Sequence, residues 1–334
     1  MKYEDIFFEK VYRNTAYGGS YYKKTRVGSP DEFDLNIIIK LPINYKQIKI
    51  EPGYPGFVKI YSGLNLDKLE DNDKIHKTLR KLHDPDMFLN QEVLRHWMES
   101  VLSKTVRKLP GKDTRRILQT DIRAYAIKIT KTGPAFTLHI EIYSDKVISV
   151  DLVPVLELSH TLLNINHDLS NFQITKWYAV PKPLDRFEFD GNKQLYWRTC
   201  FYQQEKQILS KNGKIKPVLR QMKKLRDTQN WKHMASYYIE TLCLHVLQEG
   251  TNLEKMSYTS LFMMMLQKFH IALKNRCIPY YWDTNFNLLS NLGSEEIENI
   301  KGRLGNIISC INKNIPTDSC IIARYVLNAE ELSL

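Results

Sequence analysis

GGSYYKKTRVGSPDEFDLNIIIKLP, residues 18–42, sets a glycine turn and a strand close together. Within it, residues 32–41 alternate. Phe33, Leu35, Ile37, Ile39 and Leu41 fall on one face, and Glu32, Asp34, Asn36 and Lys40 on the other. A period of two over that length marks a strand with one buried face. The Gly18-Gly19-Ser20 turn ahead of it lets backbone N–H groups approach an anion closely, and the serine hydroxyl adds a donor. Glu32 and Asp34 share one side of the strand. Two such carboxylates repel each other and invite a divalent cation that neutralises them. On a solvated sheet face the same pair is ordinary surface charge.

A second acidic strand lies further on. Residues 147–153, closed by Pro154, place Asp151 among Ile148, Val150, Leu152 and Val153. A lone carboxylate in such a strand costs free energy unless it is paired, protonated or metal-bound. Two partners are open at this point: an Arg or Lys, or a metal shared with Glu32 and Asp34.

Outward from these segments, the first half mixes strands and helices. Residues 5–15 suit a short helix, 48–50 and 57–61 a strand pair, and 90–109 an amphipathic helix. A hairpin is expected over 123–130 and 135–143. After a loop around 181–192 the periodicity becomes helical, over 199–211, 217–228, 231–248, 257–274 and 295–312. The expected architecture is α+β and bilobal, with a mixed-sheet lobe over 1–180, a helical lobe over 181–334 and a ligand cleft between them.

Composition narrows the class. The chain has 334 residues, 43% hydrophobic and 25% charged, which excludes wholesale disorder. Apolar runs such as 261–266 fall far short of the ~20 residues of a membrane span. Acidic residues near the N-terminus argue against a signal peptide, so a cytoplasmic protein is expected. A formal charge of +11 favours polyanionic partners. The 5 cysteines, at 200, 243, 277, 310 and 320, form no close pair and read as reduced thiols. His233 and His245 near Cys243 sit in a helical stretch and read as packing or surface residues rather than zinc ligands.

The set of a Gly-Ser loop, acidic-x-acidic on one strand and a later acid on another resembles the polymerase-β-like nucleotidyltransferases. Residues 18–42 and 147–158 (VISVDLVPVLEL) are similar to the catalytic segments of cyclic GMP-AMP synthase and its animal cGAS-like receptors. Residues 197–209 (WRTCFYQQEKQIL) resemble that family's acceptor-nucleotide segment. Residues 218–227 (VLRQMKKLRD) and 235–246 (ASYYIETLCLHV) resemble its donor-nucleotide helices. Residues 278–292 (IPYYWDTNFNLLSNL) resemble its Phe-Asn-Leu segment.

The resemblance implies that Glu32, Asp34 and Asp151 bind Mg²⁺, with Mn²⁺ as the alternative, Asp151 also lying near the attacking ribose hydroxyl. It implies that Ser20 contacts ATP phosphates, that Arg198 contacts guanine and that Glu205 and Lys206 line the same pocket. Lys223 would reach a donor phosphate, and Ser236 and Tyr237 would bind ATP, Tyr237 by stacking. The alternative readings are a surface ion-pair partner for Arg198, a core aromatic for Tyr237 and a solvated cation for Lys223.

The family's DNA-sensing enzyme carries a zinc-binding insertion between the acceptor and donor segments. Here only 210–217 lie between them, without His or Cys, as in zinc-less insect receptors that sense double-stranded RNA. The resemblance therefore implies ATP and GTP as substrates and duplex RNA, before duplex DNA, as activator, with oligomers on the nucleic acid left open. Lys211, Lys214, Lys216 and Arg220 are the candidate RNA contacts, with further cations in 23–26 and 104–116. Only residues 1–17 precede Gly18, so the long helix usual there is expected to be short. The implied function is synthesis of a cyclic dinucleotide such as cyclic GMP-AMP as an antiviral second messenger. Two rivals stand: an inactive member serving as a binding module, and a synthetase of linear 2′–5′ oligonucleotides. Retention of all three acids weighs against the first.

Overall fold

The alternation at 32–41 is the hub of a large sheet in the computed structural model, which describes residues 1–112, 115–143, 146–163, 175–184, 191–250 and 252–333. The chain divides into two compact units, Met1–Tyr22 with Ser29–Tyr202, and Lys23–Gly28 with Gln203–Leu334.

The first unit opens with α1 (Ile6–Val11), N-capped by the Asp5 side chain, which accepts from the Phe8 N–H at 2.8 Å. The expected helix over 5–15 stops at Val11. From there β1 (Tyr12–Gly18) runs antiparallel to β2 (Glu32–Ile39), from Tyr12 opposite Ile39 to Gly18 opposite Asp34. Phe7, Phe8 and Val11 complete the buried face of one short helix. Tyr12, Thr15 and Tyr17 then satisfy their backbone against β2, as β-branched and aromatic residues favour.

The sheet continues through β3 (Lys49–Pro52) and β4 (Phe57–Tyr61). After α2 (Gly19–Tyr22), which lies between β1 and β2, the helices of this unit are α3 (Lys74–Lys81) and α4 (Gln91–Arg107). The short β5 (Gly111–Lys112) and β6 (Arg115–Gln119) lead to the hairpin of β7 (Ala124–Thr132) and β8 (Ala135–Tyr143). Then come β9 (Lys146–Ser159), β10 (Lys176–Val180) and β11 (Tyr196–Cys200). Among the described residues these form one 11-stranded sheet in the order β3-β4-β11-β10-β9-β8-β7-β6-β5, with β2 against β9 and β1 against β2.

Two expectations change here. The strand at 147–153 does not end at Pro154 but runs to Ser159. One edge of β9 pairs with β8 up to Leu152 and with β10 from Leu156, so Pro154, which lacks an N–H, falls at the change of partner. The helix expected over 199–211 begins only at Tyr202, as α5 (Tyr202–Lys211), because residues 196–200 join the sheet as β11. Part of the expected loop at 181–192, namely 185–190, lies outside the described residues, as do 113 and 114 of the basic stretch 104–116.

Both faces of β2 are used. Ile37 packs with Phe8, Met98, Val101, Leu102, Phe136 and Leu152, which seats α4 on one face of the sheet. Burying each such side chain contributes roughly 1.5–3 kcal/mol. On the other face Ile38 packs with Val155, Tyr178 and Tyr202. The row that carries Glu32 and Asp34 therefore becomes apolar further along the strand, and the carboxylates sit at the edge of a packed floor.

The second unit is helical, with α6 (Ile215–Thr228), α7 (Ser236–Gln248), α8 (Tyr258–Lys274) and α9 (Ser294–Asn314) close to the expected spans. Helix α7 starts five residues later than expected, at Ser236, after a turn in which Asn230 takes φ 58°. A two-stranded ribbon, β12 (Pro279–Tyr280) and β13 (Asp283–Asn287), and the short helices α10 (Ile321–Val326) and α11 (Ala329–Leu332) complete it. All 5 cysteines are free thiols. Among the described residues no helix is long and apolar enough to cross a membrane.

Candidate active site

The parallel pairing of β2 with β9 decides where the acids fall. Asp34 is the register partner of Asp151, and Glu32 that of Ser149. The Ser149 N–H donates to the Asp31 carbonyl at 2.7 Å and helps lock this register. Registered residues of neighbouring strands project to the same face about 4.8 Å apart. Residues 32, 34 and 151 are thus neighbours on one face despite their separation in sequence. Asp151 does find a partner, though neither an Arg nor a Lys: the Thr137 Oγ1 hydroxyl donates to its Oδ1 at 2.6 Å.

Gly18 extends the row on the other side, opposite Asp34. Gly19 has φ 71°, and a Cβ there would lie 1.6 Å from Asp34 Oδ2. Glycine is required twice over, by its left-handed backbone and by the approach of the carboxylate. Ser20 follows in α2.

Three carboxylates offer the hard oxygen donors that Mg²⁺ or Mn²⁺ prefers, and the strand register groups them. Among the described residues no three His, Cys, Asp or Glu groups are arranged to hold a metal ion. Arg198, in β11, donates from its guanidinium to the Gly56 carbonyl at 3.2 Å and lies over the Phe57 ring at 5.3 Å.

The second unit gathers other sequence candidates into a buried charge cluster. Lys23 Nζ meets Glu205 Oε2 at 2.8 Å and Glu240 Oε1 at 2.5 Å. Glu205 Oε1 also accepts from Tyr237 Oη at 2.6 Å and Trp282 Nε1 at 3.1 Å. Burial alone would lower the Lys23 ammonium, but the two carboxylates outweigh it and hold the group well above its usual range. Burial would raise Glu205; the Lys23 charge and the three hydrogen bonds outweigh that and hold its carboxyl low. Glu205 thereby orients the Tyr237 ring through its hydroxyl.

Lys223 is 3% exposed, so the solvated-cation reading of it falls. Its Nζ donates to the carbonyl and hydroxyl oxygens of Thr25 at 3.3 Å each and lies 3.6 Å from Glu240 Oε2. Burial pushes this lysine below its usual range, with Glu240 opposing and Lys23 adding to the shift. Ser236 Oγ accepts from the Arg226 guanidinium at 2.5 Å.

The cations proposed for RNA lie partly on this unit's surface. Lys214 Nζ donates to the Glu254 carbonyl at 2.6 Å, and Arg220 to the Lys24 carbonyl at 2.9 Å. Lys216 is held below the usual lysine range by burial and by repulsion from Lys24, Arg220 and Lys206, a sign of concentrated positive potential. Lys211 is exposed.

Glu240, Trp282 and Thr137 were not singled out from sequence; Lys23 was grouped with the cations of 23–26 suited to phosphate contact, but it is buried against Glu205 and Glu240. Glu240 did carry a signal, as a carboxylate inside the apolar run 239–246.

Comparison with known proteins identifies the family. The profile of the Mab-21 protein nucleotidyltransferase domain matches residues 21–211, and that of the Mab-21 protein HhH/H2TH-like domain matches 214–306. A cyclic GMP-AMP synthase-like receptor of Trichogramma pretiosum is 40% identical over 98% of this chain and 68% of its own length. That of Microplitis demolitor is 42% identical over 99% of this chain and 62% of its own. Cyclic GMP-AMP synthase-like receptor 1 of Drosophila melanogaster is 26% identical over 92% and 84%. The chain spans about two thirds of the length of the first two relatives. With carboxylates registered on adjacent parallel strands beside a glycine turn, and with these matches along nearly all of its length, the chain belongs to the Mab-21 nucleotidyltransferase family.

Proposed function

We propose that this protein joins ATP and GTP into a cyclic dinucleotide, cyclic GMP-AMP in the first instance, when duplex RNA binds. The observation that carries the reading is the pairing of Asp34 with Asp151 in the β2–β9 register, with Glu32 on the same face and Gly18 opposite Asp34. The relatives' name, cyclic GMP-AMP synthase-like receptor, supports the same chemistry.

Glu32, Asp34 and Asp151 would hold the divalent ions, which when bound supply charge neutralisation at the α-phosphate and the leaving group. Asp151 would take the proton of the attacking ribose hydroxyl. The hydroxyl oxygen bonds to the α-phosphorus, the bond to the β-phosphate oxygen breaks, and pyrophosphate leaves. A second such transfer within the linear product closes the ring. Ser20 would donate to the triphosphate. Tyr237, its hydroxyl tied to Glu205, would offer its ring to a base, while Arg198, Lys206, Lys223 and Ser236 complete the nucleotide contacts. For Lys223 to reach a phosphate, its bonds to Thr25 must be released.

Incubation with ATP, GTP, Mg²⁺ and duplex RNA, followed by mass spectrometry and phosphatase digestion, tests this. A phosphatase-resistant cyclic product is expected. A phosphatase-sensitive linear product favours the oligonucleotide synthetase, and no product with any polyanion or with Mn²⁺ sinks the enzymatic reading.

RNA is favoured as activator by the short 210–217 segment without His or Cys. The setting would be cytoplasmic antiviral defence. Duplex RNA binding should weaken linearly in log–log plots against salt. Lys211→Ala and Lys216→Ala should each weaken binding across all sequences and flatten the slope by about 1. Fluorescence anisotropy between low and physiological salt measures both. Unchanged slopes would remove these two lysines from the interface.

A further inference from the structure

We infer that Thr137 is a positioning residue for Asp151, fixing one oxygen of that carboxylate so that the other meets a divalent cation; this rests on the nucleotidyl-transfer reading. Thr137 lies on β8 as the register partner of Asp151, 8% exposed, and its hydroxyl donates to Asp151 Oδ1 at 2.6 Å.

Three features make this bond more than an incidental contact. The donor arrives from β8, whereas Asp34 lies on β2, at the opposite edge of β9. Oδ1 is therefore held on the side away from the neighbouring negative charge. A β-branched threonine in a strand has little χ1 freedom, so the hydroxyl is pre-aimed. The competing hydroxyl is occupied: Thr130, the register partner of Thr137 on β7, is hydrogen-bonded through Oγ1 to His139 Nε2 at 2.8 Å. His139 Nδ1 in turn lies 3.2 Å from Ser149 Oγ.

A hydrogen bond of this kind behind a metal-binding carboxylate acts through that carboxylate. Removing one costs roughly 10–100-fold in metal affinity or activity. The ladder around Thr137 is backbone-made, so the hydroxyl can be removed without removing the strand.

The test compares wild type, Thr137→Val and Thr137→Ser by two readouts. Mn²⁺ alone is titrated by electron paramagnetic resonance, and turnover is measured with ATP, GTP and duplex RNA. Thr137→Val is expected to weaken Mn²⁺ binding about 10-fold and to lower kcat about 10-fold, with KM for ATP nearly unchanged. Thr137→Ser, which keeps the donor, is expected to restore both. Equal Mn²⁺ affinity in wild type and Thr137→Val, including no measurable binding by either, overturns the assignment. So does a serine variant that behaves like valine. A wild type that binds Mn²⁺ but makes no nucleotide product sinks the nucleotidyl-transfer reading, and the Mn²⁺ comparison still decides the role of Thr137.

Discussion

Asp151→Asn is expected to lower product formation by on the order of 10³-fold while leaving duplex RNA affinity at the wild-type value. The substitution is nearly isosteric. Asn keeps a side-chain oxygen that can accept from Thr137 Oγ1, the partner of Asp151 at 2.6 Å, so the strand register and its surroundings are retained. What is lost is a negative charge on the register partner of Asp34 and the group proposed to accept the hydroxyl proton. Several kcal/mol of transition-state stabilisation by bound cations depends on such charge, which is the stated rate loss. Quantifying the product by chromatography and RNA binding by anisotropy on the same preparation checks the result. Turnover within tenfold of wild type would remove Asp151 from the chemistry. Loss of RNA binding in step with product would mean that the substitution acts on the fold.

The same residues show how much the sequence could tell. The alternation at 32–41 was legible because one face of β2 is buried against α4 while the other begins with Glu32 and Asp34; the burial of Ile38 on that second face was not legible. Asp151 was legible as an expensive charge in an apolar strand. Its partner was not, since a threonine hydroxyl in another strand leaves no mark in composition. The long helices of the second unit were legible by period. Strands β10 and β11 were not: each has only five residues, and β11 abuts a true helix, so the helical period of 202–211 was carried too far back. Lys223 was read as reaching a donor phosphate or as a solvated cation, and Glu205 as lining a nucleotide pocket; neither was read as part of a buried ion cluster. Their burial follows from pairings between distant segments, Lys23 with Glu205 and Glu240 being separated by 182 and 217 residues. A long-range ion pair turns an apparently solvated helix face into a core, and no local pattern announces it.

Lys23→Met carries the largest expected effect on stability. The ammonium is 8% exposed and bridges two carboxylates, each about as buried. Removing it strands Glu205 and Glu240, with Lys223, at 3.6 Å from Glu240, as the remaining ion-pair partner among the described residues. Breaking a buried pair in this way costs about 3–5 kcal/mol, which for a domain of this size lowers Tm by roughly 10 °C.

The dependence on pH separates this cause from lost packing. In the wild type, Lys23 is raised, so its contribution is complete below the unfolded lysine value and is lost only as pH rises through the folded one. Glu205 is depressed, so its contribution is present above the unfolded carboxylate value, about 4.3, and is lost as pH falls through its folded value. The wild type should therefore hold its Tm from neutrality down to about pH 5 and lose it below about pH 4. In Lys23→Met the sign reverses. Without the ammonium, burial raises the Glu205 carboxyl, its protonation on acidification relieves the stranded charge, and the gap in Tm between the two proteins should narrow from pH 8 to pH 5.

Adding Glu240→Gln to Lys23→Met removes one of the stranded charges and should recover part of the loss, an interaction that a double-mutant cycle measures directly. A Tm deficit that stays constant with pH and is not eased by Glu240→Gln would mean that Lys23 contributes packing alone. The charge cluster would then not be what ties residues 23–28 to the helical unit.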